Sequence, residues 1–205
     1  MNTSFSIESI AQPESLKQVA LSLVANQTVI RSKKTASTSG KSNFIGFKQK
    51  GDLIFILGES SDDLSFSVYL NEYHNIASSG DPKIDDQKQV LLEEAIKGLI
   101  DNEYINAAHA CSVGGLFISL IEMALPLELG FDIVTDSEVR EDAFLFGETP
   151  SRAVVTVSED QEDDFIEFMI TSKLPFTLLG HVTKGKIMVD DEHFGFVQEY
   201  QTLVK

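Results

Sequence analysis

Residues 109–116 read HACSVGGL, and residues 145–157 read LFGETPSRAVVTV. Each stretch gathers side chains that can do chemistry. His109 and Cys111 stand two apart where a strand is expected, so they share one face. A thiol beside an imidazole is the raw material of a thiolate nucleophile with its base. The competing reading is packing, because a free cysteine behaves as a small buried apolar residue. Ser112, Gly114 and Gly115 offer a different chemistry. Glycines between a strand and a helix let a ligand approach the helix's free N–H groups, and the helix dipole favours an anion. Such turns also use glycine for steric reasons alone. In the second stretch Glu148, Thr149, Ser151 and Arg152 surround a tight turn. A carboxylate, hydroxyls and a guanidinium placed there suit a polar ligand bearing a phosphate. The local expectation is instead that Glu148 and Arg152 pair with each other and brace the turn. No zinc-type spacing, phosphate-binding loop of the GxxxxGK type or Ser-His-Asp pattern is present, and no residue is assigned to a metal.

These residues need elements to hold them. INAAHACS, at 105–112, reads as a strand, and GGLFISLIEMAL as the helix that follows it. The stretch RAVVTVS, rich in β-branched residues, reads as a strand at 152–158. LIFIL at 53–57 is a buried strand ended by Gly58. Helices are expected over 14–25, with Leu16, Val19, Ala20 and Leu23 on one face, and over DDQKQVLLEEAIKGLIDNEY, capped by Asp85 or Asp86. Further helices are expected in LSFSVYLNEYHN, in SEVREDAFLF with Ser137 as its cap, in EDDFIEFMITS and in the closing FGFVQEYQTLVK. FDIVTD reads as a strand, and TLLGHVT and KIMVDD as a hairpin turned at Lys184–Gly185. The expected fold class is α+β, a mixed sheet with helices packed on it. The basic, small-residue run RSKKTASTSGKSN at 31–43 reads as a flexible linker, which divides the chain into an N-terminal helix and linker (1–43) and a main domain (44–205).

The formal net charge is −16, which argues against nucleic acid and anionic membrane surfaces as partners. The acidic run SEDQEDD at 158–164 reads as a solvated turn and first helical turn. One cysteine excludes an internal disulfide and suits a reducing, cytoplasmic setting. An exposed sheet face would allow two copies to pair.

Taken together the motifs resemble a known family. AAHACSVGGLFISLIEMAL is similar to the HD-x-SDGGL-x-x-x-L-x-EM signature of phosphoribosylformylglycinamidine synthase. LFGETPSRAVVTV resembles that family's FGES-x-SR-V-V segment, FKQKGDLIFILGESSDDLSFSVYL resembles its opening motif, and LLGHVTKGKIMVD resembles its late strand pair. The match spans about residues 44–190, to the second of the enzyme's two C-terminal-type domains, a type shared with aminoimidazole ribonucleotide synthetase. The resemblance implies part of an ATP-dependent purine-biosynthesis ligase, which converts formylglycinamide ribonucleotide and ammonia to the amidine. In the full-length family enzyme ATP and Mg²⁺ activate the amide oxygen, mostly on an N-terminal-type, ATP-binding domain that is not recognised here. That domain and a glutaminase subunit are the implied partners. Ser112, Gly114, Gly115, Glu148, Thr149, Ser151 and Arg152 are the implied substrate- or anion-binding residues. Ala110 and Val113 stand where the family has aspartates, and Ser65-Phe66-Ser67-Val68 keeps only Ser67 of its GGSE. These departures imply scaffold and interface rather than catalysis, with no catalytic residue and no cofactor on this chain alone. The other reading is an assembly or ligand-binding module with a degenerate site.

Overall fold

The computed structural model describes residues 10–26, 45–77 and 83–204. The basic linker at 31–43 lies outside the described residues. Helices are α1 (Leu16–Asn26), α2 (Asp86–Asp101), α3 (Gly115–Ala124), α4 (Glu141–Phe146), α5 (Glu162–Ser172) and α6 (Val197–Leu203). Strands are β1 (Leu53–Leu57), β2 (Ala107–Ala110), β3 (Gly130–Ile133), β4 (Ala153–Val157), β5 (Phe176–Thr183), β6 (Lys186–Val189) and β7 (Glu192–Phe196). They form one mixed sheet in the order β2-β4-β1-β5-β3-β6-β7, antiparallel throughout except for β3 and β6. The α+β expectation therefore holds.

Two apolar layers explain the arrangement. Ile54 and Ile56 point from β1 into the larger one, with Phe131, Val182, Ile187 and Phe194 from the neighbouring strands. Helices α1, α3, α4 and α6 close that layer. The four residues expected on the buried face of α1 (Leu16, Val19, Ala20 and Leu23) are all in it. Phe55 and Leu57 point the other way, and α2 and α5 cover them together with Val155 and Val157 of β4. Asp85 caps α2 by accepting from the N–H groups of Gln87 and Lys88.

Four local expectations change. The β5–β6 hairpin does not form, because β3 lies between the two strands and bonds to both. Phe131 and Ile133 are fully buried in that slot, and this burial outweighs the local turn signal. LSFSVYLNEYHN contributes only a π-helical turn, Tyr69–Tyr73. The closing segment begins as strand β7, kinked at Gly195, before α6 starts. Ser137 does not cap α4; Arg140 holds the cap position, and its side chain grips Asp142 of the first turn in a bidentate pair at 2.6 Å.

β5 carries a bulge beside β1, and Gly180 sits there at φ +155°. An added Cβ would lie 1.9 Å from the carbonyl oxygen of Asp132. Gly180→Ala is expected to destabilise the fold by about 1–3 kcal/mol, measured as a lower midpoint in urea denaturation.

Candidate functional site

The seven residues singled out in the sequence fall into two neighbouring groups at one end of the sheet. The first is the glycine turn between β2 and α3. Gly114 and Gly115 both have positive φ, +86° and +70°. A Cβ on Gly115 would lie 2.6 Å from the carbonyl oxygen of Gly147, so this glycine is required by close packing against the end of α4. Its N–H donates to the carbonyl of Ser112 at 2.9 Å. The N–H of Gly114 donates to the Glu148 carboxylate at 2.9 Å, and the N–H of Val68 donates to the same oxygen at 2.8 Å. The chain's own carboxylate thus stands where an external anion would meet Gly114. Burial pushes the Glu148 carboxyl above its ordinary range, while the two backbone donors pull it back. Val113, in place of a family aspartate, is exposed, and so is Ala110.

The second group surrounds the turn before β4. Arg152 is 1 % exposed. Its guanidinium donates to the carbonyls of Gly147 (2.6 Å) and Thr149 (3.2 Å) and to the Ser60 hydroxyl (3.0 Å). The expected Glu148–Arg152 pair does not form. Glu148 faces the glycine turn and Arg152 faces the turn's own carbonyls, because a guanidinium can satisfy several buried acceptors that a carboxylate cannot. Burial pushes Arg152 below the usual guanidinium range. Thr149 shares a 3.0 Å hydrogen bond with Ser61, and Ser151, at φ +58°, donates to Gln89 at 3.0 Å. Thr149 and Ser151 line an open cavity of about 480 Å³; Ser112, Gly114, Gly115 and Glu148 do not.

Cys111 and His109 are not arranged as nucleophile and base. Cys111 lies beyond the end of β2 and packs into the larger apolar layer. His109 turns to α3, where its Nε2 meets Glu122 at 2.9 Å, and its Nδ1 meets the carbonyl of Ala110 at 2.9 Å. With both ring nitrogens engaged, neither is placed to take the thiol proton. The first and penultimate residues of the signature thus fasten strand to helix.

Sequence reasoning missed two features. One is the buried network in which the Tyr69 hydroxyl donates to Asp142 at 2.9 Å while Arg140 also holds the carbonyl of Ile10. Burial and the neighbouring carboxylate push the Tyr69 hydroxyl far above its ordinary range. The other is the set of lysines around the cavity, Lys83 and Lys88 at the start of α2 and Lys173 after α5, which meet only in the folded chain. Among the described residues no group of three or more His, Cys, Asp or Glu side chains could hold a metal ion.

A helix-flanked sheet of this kind is found among solved structures. PurL of Thermotoga maritima, in its complex with FGAR, superposes with a TM-score of 0.61 at 16% identity, covering 79% of this chain and 29% of that one. A thiamine-monophosphate kinase from Stenotrophomonas maltophilia superposes at 0.52 with 20% identity, over 75% of this chain and 55% of that one. Residues 49–191 match the family described as AIR synthase related protein, C-terminal domain, and the chain belongs to that family. Curated relatives include phosphoribosylformylglycinamidine synthase subunit PurL of Thermoanaerobacter pseudethanolicus (33% identical over 70% of this chain) and of Caldanaerobacter subterraneus (34% over 71%). The chain spans about 20% of the length of each.

Proposed function

We propose that this chain is the second C-terminal-type domain of a phosphoribosylformylglycinamidine synthase-like, ATP-dependent C–N ligase, and that it acts as scaffold and interface. Residues 44–205 form the domain in this reading and residues 1–43 an N-terminal helix and linker, with α1 packed into the domain's larger apolar layer. ATP, ammonia supplied by a glutaminase subunit, and the ligase chemistry belong to the rest of the enzyme.

The observation that carries the reading is the bare half of the sheet. Helices α2 and α5 cover the second face only over β2, β4 and β1. Across β5, β3, β6 and β7 the same face presents the row His181, Asp132, Met188 and His193, with Leu178, Val134 and Phe196 beside it. The last three are 48%, 63% and 46% exposed. No described element covers them. Sheets bury their apolar faces against another layer, and the matched stretch makes up only 20% of the length of a curated relative. The ATP-binding domain of the same enzyme is the occupant this reading assigns. Glu148 supports the scaffold role, since it satisfies the turn that would otherwise face an anion.

Co-expression with the ATP-binding domain tests this. The two are expected to co-elute on size exclusion, and the Leu178→Glu, Phe196→Glu double variant is expected to weaken association at least about tenfold with an unchanged melting temperature. The chain alone is expected to show no ATP-dependent ligation. Failure to associate, or association that the double variant leaves intact, would overturn the reading.

A further inference from the structure

We propose that the cavity between the start of α2 and the end of α5 binds a phosphate monoester that carries an apolar group. It is walled by the loop after β1, the turn before β4, the first residues of α2 and the α5–β5 connection. Cations from two segments of the chain converge on it: Lys83 just ahead of α2 with Lys88 in its first turn, and Lys173 after α5. Two carboxylates also line it, and both are engaged locally. Glu59 pairs with Lys88 at 2.6 Å, and Asp85 accepts from the backbone of α2. Among the described residues Lys83 and Lys173 carry no ion pair. In a chain of net charge −16 this is a local reversal of sign.

Arg152 supplies the second, independent observation. It is a fully buried cation bound only to neutral acceptors, two carbonyls and the Ser60 hydroxyl. Ser60 lines the cavity. Because its oxygen accepts from the guanidinium, its hydroxyl proton points to a further acceptor, and the charge behind it strengthens that donation. An anion in the cavity would sit between this polarised hydroxyl and the two lysines. The wall is also held rigidly. Ser151 is fixed at positive φ against Gly58, where a Cβ would lie 2.3 Å from the Ser151 carbonyl oxygen.

The remaining lining decides what else the ligand contains. Leu91, Leu174, Pro150 and Pro175 form an apolar side, and about 480 Å³ exceeds what a bare phosphate fills. Leu91 is 42% exposed, an open apolar surface next to the cations. Dianion and apolar body together define a phosphate monoester. This site is separate from the glycine turn, where Glu148 already takes the N–H of Gly114. The proposal needs only this chain and stands whether or not the ligase reading does.

Amide NMR titration of the full chain in low-salt, phosphate-free buffer tests it, with phenyl phosphate and inorganic phosphate as probes. Phenyl phosphate is expected to give saturable shifts at Ser60, Ser61, Thr149 and Ser151, with affinity about tenfold above inorganic phosphate from burial of the ring. Lys83→Gln with Lys173→Gln is expected to weaken both probes by about tenfold or more at an unchanged melting temperature, since both lysines are exposed. Leu91→Ser is expected to remove the advantage of the phenyl group and leave inorganic phosphate unaffected. No saturation at millimolar concentration, shifts centred on Gly114 and Gly115, or equal affinity in the lysine double variant would each overturn the proposal.

Discussion

Arg152→Ala is expected to lower the unfolding free energy by about 3–5 kcal/mol, read as a shifted midpoint in urea denaturation with little change in slope. The side chain is 1 % exposed and donates to three acceptors around one turn. Its removal strips the carbonyls of Gly147 and Thr149 of their buried donor and opens a void the size of a long side chain. The void alone costs a few kcal/mol, by analogy with other large-to-small core changes. Part of that loss is returned, because the buried guanidinium is itself costly to desolvate, as its lowered pKa direction indicates. Arg152→Met separates the two contributions. It restores most of the volume and removes the charge and donors, so it is expected to fall between alanine and the native chain. Arg152→Lys keeps the charge but has one nitrogen, which cannot reach three acceptors in different directions. A lysine variant as stable as the native chain would show that charge, and not the fork of donors, holds the turn.

Much of this arrangement was legible in the sequence, for a physical reason. Strands β1 and β4 and helices α2, α3 and α5 follow from patterns within one segment, where burial repeats every second or every third to fourth residue. The glycine turn was legible as a strand-to-helix connection. Its occupant was not, because Glu148 arrives from 34 residues away. The same distance effect misled the reading of β5 and β6. Lys184–Gly185 is a good tight turn, and Gly185 does adopt φ +86°. Which strand lies beside β5 is nevertheless decided by where Phe131 and Ile133 can be buried, and a local turn signal cannot report that. The cavity shows the limit most clearly. Thr149 and Ser151 were identifiable from their turn, but Lys83 and Lys173 belong to distant segments and meet only in the folded chain.

Glu148 allows a prediction in which two substitutions at one position change stability by different amounts. Glu148→Ala removes the acceptor of the Val68 and Gly114 N–H groups, and the buried Gly114 is left without a partner. A loss of about 2–4 kcal/mol is expected, from two charge-assisted bonds and an orphaned donor. Glu148→Gln keeps an oxygen at the same place and removes the charge. Burial raises the native carboxyl above its unfolded value, so the folded chain holds the proton more tightly than the unfolded chain. Stability therefore falls as pH rises from the ordinary carboxylate range through the raised native value, and the ionised form carries that penalty at neutral pH. Glutamine escapes the penalty but bonds less strongly than a carboxylate. The Gln variant is accordingly expected within about 1 kcal/mol of the native chain at pH 7, by the ordinary strength of neutral hydrogen bonds. Its urea midpoint is expected to lose the native chain's decline with pH across that window, against a background in which Glu141, also raised by burial, titrates unchanged. The measurement is a set of urea denaturations from about pH 4 to 8, bracketing the reference carboxylate value. If the Gln variant is as unstable as the Ala variant, the negative charge itself closes the glycine turn, and Glu148 is then a built-in anion whose site the fold cannot leave empty.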